Sequence, residues 1–153
     1  MASGHRATHS EASILHRRRG VERDYRRLKA DWENGSRDRD GALHLLFLAW
    51  MHWADPPFVT GMEDDPEADG LWRAIYAHFG AEDAEDAEFL HVAGLMAGIF
   101  PWGLGDESEW SSRAKRMEAR SRHLKPDGFS PEFFEGRRDY GDYFAHQARV
   151  QVG

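Results

Sequence analysis

The segment Ala42–Trp53 constrains the fold more than any other part of this sequence. It reads ALHLLFLAWMHW, and its only polar side chains are His44 and His52. A helix that is apolar on nearly all sides needs neighbours on several sides, so it belongs in the middle of a fold. The segment is long for a strand, and it is rich in Leu rather than in β-branched residues. We therefore predict that it forms the central helix of an all-helical domain.

Helical periodicity recurs on both sides of this central segment. Val21, Tyr25, Leu28 and Trp32 follow the spacing of an amphipathic helix, and proline or glycine residues separate the later apolar segments. No segment alternates as a strand would. The pattern predicts an all-α, single-domain helical bundle of about six helices in antiparallel pairs, in which the central segment and Phe89–Phe100 form the core pair.

The ends of the predicted helices also carry local signals. Ser36, Asp65 and Asp106 each stand just before a helical segment, where a short polar side chain can accept a hydrogen bond from the first free backbone N–H groups. Residues 1–20 are polar, weakly patterned and include three consecutive arginines. We predict that residues 1–20 form a flexible basic N-terminal tail and that residues 21–153 form the all-α domain.

The composition excludes several classes of protein. The sequence has no cysteine, so disulfides and thiolate chemistry are absent. The longest apolar run, Phe89–Leu104, contains glycines and a proline and is shorter than the ~20 residues of a membrane-spanning helix. The N-terminus lacks the apolar core of a secretory signal. These features predict a cytoplasmic protein that does not engage a membrane, and the excess of arginine over lysine suggests a bacterial source.

Charge is distributed unevenly along the chain. The net charge is −7, and residues 40–109 contain fifteen Asp or Glu residues but only one base, Arg73. Such a segment attracts cationic partners and repels nucleic acid. We name its two densest clusters the acidic lobe and predict that they bind a basic protein; the residues are Glu63, Asp64, Asp65, Glu67 and Asp69, followed by Glu82, Asp83, Glu85 and Asp86. The alternative is that these acids pair with bases of the same chain.

A second candidate site combines histidines with a carboxylate. His44 and His52 share one face of the central helix, and Glu88 and His91 share a face of a later helix. If the two faces meet, three imidazoles and a carboxylate can bind a metal ion or exchange protons near neutral pH. The predicted pocket contains His44, His52, Trp53, Trp72, Glu88 and His91, with Trp50 as a further wall. The alternative is that these histidines are ordinary core or boundary residues.

No nucleophile motif, nucleotide loop or cofactor motif occurs, so the sequence favours a binding protein over an enzyme and predicts no cofactor. The first hypothesis is an acidic binding protein that docks a basic protein partner by charge complementarity, as an immunity protein or an enzyme inhibitor would. The second is a small-molecule or metal-binding protein, or an enzyme, that uses the histidine pocket. The third is an oligomerisation or scaffold module that forms a homodimer through exposed aromatic residues.

Overall fold

A computed structural model describes the backbone of residues 9–54 and 65–152, and the side chains of residues 20–52 and 65–150. Within these ranges the protein is helical and has no strand, which confirms the all-α prediction. Six helices have three or more turns, and two are single turns. In chain order they are α1 (His9–Glu33), α2 (Arg39–Ala54), α3 (Ala68–Phe79), α4 (Ala87–Ile99), α5 (Pro101–Leu104), α6 (Glu107–Leu124), α7 (Pro131–Phe134) and α8 (Arg138–Val152).

Helix α1 begins at His9, ahead of Val21, where the amphipathic pattern starts. Residues 1–8 lie outside the described residues, so the flexibility of residues 1–20 stays a prediction. Among the helices described, none combines the length and the apolar character that crossing a membrane requires.

Helix α2 occupies the centre of the core, as its composition predicts. Leu43, Leu46 and Leu48 have no exposed surface, and Phe47 and Trp50 are only 3% and 2% exposed. Burying an apolar side chain of this size stabilises the folded state by about 1.5–3 kcal/mol. Helix α2 therefore supplies the largest continuous part of the hydrophobic core.

The predicted core pairing needs correction. Helix α4 is also buried, and Phe89, Leu90 and Met96 have no exposed surface. However, α4 packs most closely against α6, and α2 packs most closely against α3 and α1. The reason is that both α2 and α4 are apolar on several sides, so that each is covered by its own neighbours rather than mainly by the other.

Short acidic side chains fix two of the helix starts. Asp86 accepts a hydrogen bond from the backbone of Phe89 at the start of α4, and Asp106 accepts one from the backbone of Glu109 at the start of α6. At the start of α2 the donor is Gly41, and the acceptor is Asp38 rather than the predicted Ser36. These carboxylates also suit the positive end of the helix dipole.

The C-terminal part of the chain folds back onto α2. Phe134 of α7 and Tyr140 and Phe144 of α8 are at most 2% exposed, and the ring of Phe144 lies 5.6 Å from that of Phe47. This packing depends on Gly141, because a Cβ atom there would overlap the carbonyl oxygen of Phe134. The α7–α8 pair thus brings the start of α8 next to α1 and α2.

Candidate functional site

The predicted pocket residues occupy different environments. The ring of His52 lies 4.0 Å from that of Tyr25, and Nδ1 of His91 lies 3.4 Å from a carboxylate oxygen of Glu118. Trp72 is fully buried, and its indole N–H points at the sulfur of Met96. The side chain of Trp53 lies outside the described residues.

Two of the predicted residues, His44 and Glu88, do meet the same side chain. Tyr140 donates a hydrogen bond of 2.6 Å to Glu88, and its ring centroid lies 6.2 Å from that of His44. Helix α8, which contains Tyr140, therefore connects the two faces. The candidate site therefore lies around the start of α8.

Glu88 is a buried carboxylate with several donors. It is 4% exposed, and its two oxygens accept hydrogen bonds or ion pairs from Arg39 at 3.0 Å, Arg137 at 2.8 Å and Tyr140. Burial, reinforced by the charge of Glu88, raises the pKa of Tyr140 well above its ordinary value. Tyr140 thus stays a hydrogen-bond donor, and this network holds α2, α4 and α8 together.

Next to this network, three metal-ligating side chains converge from three helices. They are Asp24 of α1, His44 of α2 and Asp139 in the first turn of α8. One ligand atom from each lies within 4.8 Å of the other two. We name these three residues the helix junction.

The local sequence explains why each of these side chains faces inward. Asp24 precedes Tyr25 on the buried face of α1 and is only 3% exposed, although it is charged. His44 lies on α2 between the buried residues Leu43 and Leu45. Asp139 precedes the buried Tyr140, so the packing of Tyr140 fixes the first turn of α8 at this place.

His44 is held in its neutral form. Burial lowers its pKa to about 4; nearby Asp24 opposes this shift, and the guanidinium groups of Arg138, Arg27 and Arg137 add to it. Its Nε2 atom is buried and has no hydrogen-bond partner in the described part of the chain. A neutral imidazole with an available nitrogen is the form that binds a metal ion.

Two arginines balance the charge of Asp24. Arg138 Nη2 lies 3.0 Å from Asp24 Oδ2, and Arg27 Nη2 lies 3.9 Å from Asp24 Oδ1. Arg138 adopts a left-handed backbone conformation with φ of 59°, which is strained for a residue other than glycine. The fold therefore accepts local strain at the residue that provides the closest positive charge to Asp24.

The chemistry of the helix junction suits a divalent cation. Two carboxylates and one imidazole are ligands for Zn²⁺, Mn²⁺, Fe²⁺ or Co²⁺, whereas Ca²⁺ and Mg²⁺ prefer sites made of oxygen alone. Metal–ligand bonds of ~2.0–2.2 Å space the ligand atoms by roughly 3–3.6 Å. Side-chain rotations that close the present spacing by about 1 Å would bring all three ligands into range of one ion.

Most of the acidic lobe is engaged within the chain. Glu63 and Asp64 lie outside the described residues. Of the seven acids of the lobe that are described, five contact bases of this chain: Asp65 and Glu67 bind Lys29, Asp69 binds Arg73, Glu82 binds Arg116, and Asp86 binds Arg39.

The other two acids of the lobe, Asp83 and Glu85, are exposed, and neither forms an ion pair with another described residue. Pairing with bases of the same chain is the alternative that the sequence left open, and it accounts for most of the lobe. Bases of α1, α2, α3 and α6 therefore contact most of the described acids of the lobe, and two of these bases are each shared by more than one acid.

Sequence reasoning missed Asp24 and Asp139. No spacing motif reveals them, because the three residues of the helix junction come from three helices that are far apart in sequence. The available signal was weaker: each acid directly precedes a tyrosine of an apolar helix face, namely Tyr25 and Tyr140. No protein-family model matches the chain, and no curated protein or solved structure is significantly similar to it.

Proposed function

We propose that this protein binds one divalent transition-metal ion through Asp24, His44 and Asp139. The observation that carries the proposal is the convergence of three ligand atoms within 4.8 Å, each from a different helix. The two carboxylates and the neutral imidazole offer three ligand atoms, and Arg138 and Arg27 provide the positive charge next to Asp24. A divalent cation would compete with Arg138 for Asp24 and would bind the imidazole of His44 in its neutral form.

The same geometry bears on the role of the ion. Three protein ligands leave coordination positions that a water molecule or a small ligand can fill, as in catalytic zinc sites, whereas structural zinc sites use four protein ligands. An ion at this place would also join α1, α2 and α8. Metal binding should therefore stabilise the folded protein as well as provide an open coordination position.

The test is metal titration of protein made with a tag that contains no histidine. After treatment with a chelator, Zn²⁺ and Mn²⁺ are titrated by calorimetry, and Co²⁺ by its visible absorption. We expect one ion per chain and a higher melting temperature with metal. Asp139→Asn and His44→Gln keep side-chain size and should each weaken binding roughly tenfold or more.

His91→Gln is the matched control, because His91 is a partly buried histidine whose neighbour is Glu118 rather than the helix junction. It should leave metal affinity unchanged. Circular dichroism verifies that each variant is folded. The proposal fails if the folded wild-type protein binds no ion at millimolar metal, or if the His44 and His91 variants bind equally well.

Docking of a basic protein remains the second candidate. The observation that favours it is the adjacency of Asp83 and Glu85, which are exposed and have no ion-pair partner among the described residues. We rank it below metal binding because the other described acids of the lobe have bases of their own. The oligomerisation hypothesis is supported only by single exposed apolar residues such as Trp102, which is 58% exposed.

A further inference from the structure

A shallow groove of about 430 Å³ runs between α4 and α6, on residues that the helix junction does not use. Leu95, Gly98 and Ile99 of α4 form one wall, and Lys115, Ala119 and Arg122 of α6 form the other. Ile99 is 44% exposed at the edge of this groove. Glu118 of α6 also lines the groove, and its Oε2 atom lies 3.4 Å from Nδ1 of His91. The groove is therefore an apolar surface with two basic residues and one acid, which already has a partner within the chain, on one side.

The floor of the groove is open at Gly98. A Cβ atom at Gly98 would contact only Ala114, at an ordinary distance of 3.8 Å. By contrast, a Cβ atom at Gly94 would stand 3.0 Å from the side chain of Glu118, so that position is already filled. Gly98 is thus not required for the packing of α4 against α6, and its missing side chain leaves space above the helix.

The two bases of the groove differ from the other arginines of α6. Arg113 pairs with Glu109, Arg116 pairs with Glu82, and Arg120 donates to the backbone carbonyl of Ala84. Each of these cations is thus engaged within the chain.

Lys115 and Arg122 are exposed, and neither has an ion pair within the described residues. They lie seven residues apart on one face of the helix, or about 10 Å. The positive charges that remain unpaired on this part of α6 are therefore those that line the groove.

We propose that this groove docks an acidic amphipathic helix of a partner protein. The apolar side chains of such a helix would cover Leu95, Gly98 and Ile99, and two of its carboxylates at the same two-turn spacing would face Lys115 and Arg122. Helices approach to 8–10 Å between axes when small residues lie at the contact, and Gly98 and Ala119 provide that approach. The lining residues of α6 extend over about two turns, from Ala114 to Arg122, which matches the contact length of a short helix.

The charges also argue against a second copy of this chain as the occupant. A twofold pairing of α6 with α6 of another copy would bring Lys115 of one chain near Arg122 of the other and would bring the two Glu118 residues together. Both contacts are repulsive, and each chain has a net charge of −7. A partner that supplies carboxylates is therefore favoured over self-association.

The probe is a stapled helical peptide of about 15 residues that carries Leu at i, i+3, i+4 and i+7 and Glu at two flanking positions seven residues apart. Its binding to the full-length protein is followed by amide NMR shifts and by fluorescence anisotropy. We expect the shifts to concentrate on residues 94–99 and 114–122. A peptide with Gln in place of Glu should bind roughly tenfold more weakly.

Variants of the protein test the shape of the groove and the charge of the groove separately. Gly98→Phe fills the groove and should abolish binding, whereas Gly98→Ala makes the same backbone change without filling it and should bind like wild type. Lys115→Glu combined with Arg122→Glu should weaken binding roughly tenfold or more. Arg23→Glu, at an exposed position of α1, should leave binding unchanged.

The proposal is overturned by any of four results. The first is that the peptide produces no shift at the groove at ~1 mM, which corresponds to negligible affinity. The Glu and Gln peptides bind equally, or Gly98→Phe binds as Gly98→Ala does. Finally, anionic lipid vesicles bind at these residues while the peptide does not, which would assign the groove to a membrane surface.

Discussion

The helix junction and the acidic lobe both contain clustered carboxylates, but their surroundings differ. In the lobe, the described acids are partly or fully exposed, and Asp65, Glu67 and Asp86 each contact a base of the same chain. At the junction, Asp24 also contacts two bases, Arg138 and Arg27, but it is only 3% exposed and lies beside a second carboxylate and a neutral imidazole. The comparison shows that the number of charges in a segment does not identify a site; their partners and burial do.

Glu88, which belongs to neither the helix junction nor the acidic lobe, shows the same contrast between buried and exposed carboxylates. Glu88 follows the acids of the lobe in sequence, yet it is buried and contacts Arg39, Arg137 and Tyr140. Glu85, three residues earlier, is exposed. Two acids with nearly identical sequence surroundings therefore have opposite structural roles.

The largest expected effect comes from Glu88→Ala. Removing this carboxylate leaves Arg137 and Tyr140 without their buried acceptor, so the free energy of unfolding should fall by about 3–5 kcal/mol. Glu85→Ala, which removes an exposed acid, should change it by less than about 0.5 kcal/mol. Urea unfolding of the two variants measures the difference, and equal values would contradict the distinction between buried and exposed acids.

The next effect is a pH dependence that originates in the lobe. Although burial raises the pKa of Asp65, hydrogen bonds from Tyr25 at 2.5 Å and Lys29 at 2.9 Å outweigh it and lower that pKa to about 2. A depressed carboxylate pKa stabilises the folded state above the unfolded pKa of 3.8, and this stabilisation disappears as the pH falls through 2. Asp65 should contribute about 2 kcal/mol, since each pKa unit corresponds to ~1.4 kcal/mol.

The measurement is urea unfolding at a series of pH values from 5 down to the lowest at which the protein folds. Tyr25→Phe keeps the aromatic ring but removes the hydroxyl donor to Asp65. Its stability should therefore fall less steeply with decreasing pH than that of wild type. Parallel curves for the two proteins would mean that the Tyr25 hydroxyl does not stabilise the ionised form of Asp65.

A smaller effect tests the strained residue at the helix junction. Arg138→Ala and Arg138→Gly both remove the guanidinium that contacts Asp24, but only glycine adopts the left-handed backbone without strain. The glycine variant should therefore be more stable than the alanine variant by about 1 kcal/mol. Thermal unfolding compares them directly, and an advantage for alanine would contradict the strain at this residue.

The same two variants test the metal proposal. The guanidinium of Arg138 competes with a metal ion for Asp24, because it lies 3.0 Å from one carboxylate oxygen. Both variants should therefore bind Zn²⁺ more tightly than wild type, by roughly tenfold. Unchanged affinity in both would show that Asp24 is not a ligand, whereas the stability difference between them would be unaffected.

The smallest expected effect on stability concerns the unpaired acids of the lobe. Asp83→Lys combined with Glu85→Lys should change the free energy of unfolding by less than about 0.5 kcal/mol, because both side chains are exposed. If these residues dock a basic partner, the same variant should slow association and reduce its dependence on salt. A large loss of stability would show that these acids are structural, as most of the lobe is.

The sequence by itself determined the local features of this protein. The apolar character of Ala42–Trp53 predicted a buried central helix, and Asp106 before α6 predicted its cap, because both depend on residues close together in the chain. The all-α class follows from the same kind of evidence. Helical periodicity repeats over most of the chain, and each helix carries its own signal.

The tertiary structure decided which distant side chains meet. It placed Asp24 and Asp139 beside His44, separated His52 and His91 from that site, and gave most lobe acids a base from another helix. Such contacts depend on the rotation and crossing of whole helices, and α2 and α4 are apolar on so many sides that their sequences do not specify which face meets which neighbour. The helix junction therefore exists only in the folded chain, although each of its residues is visible in the sequence.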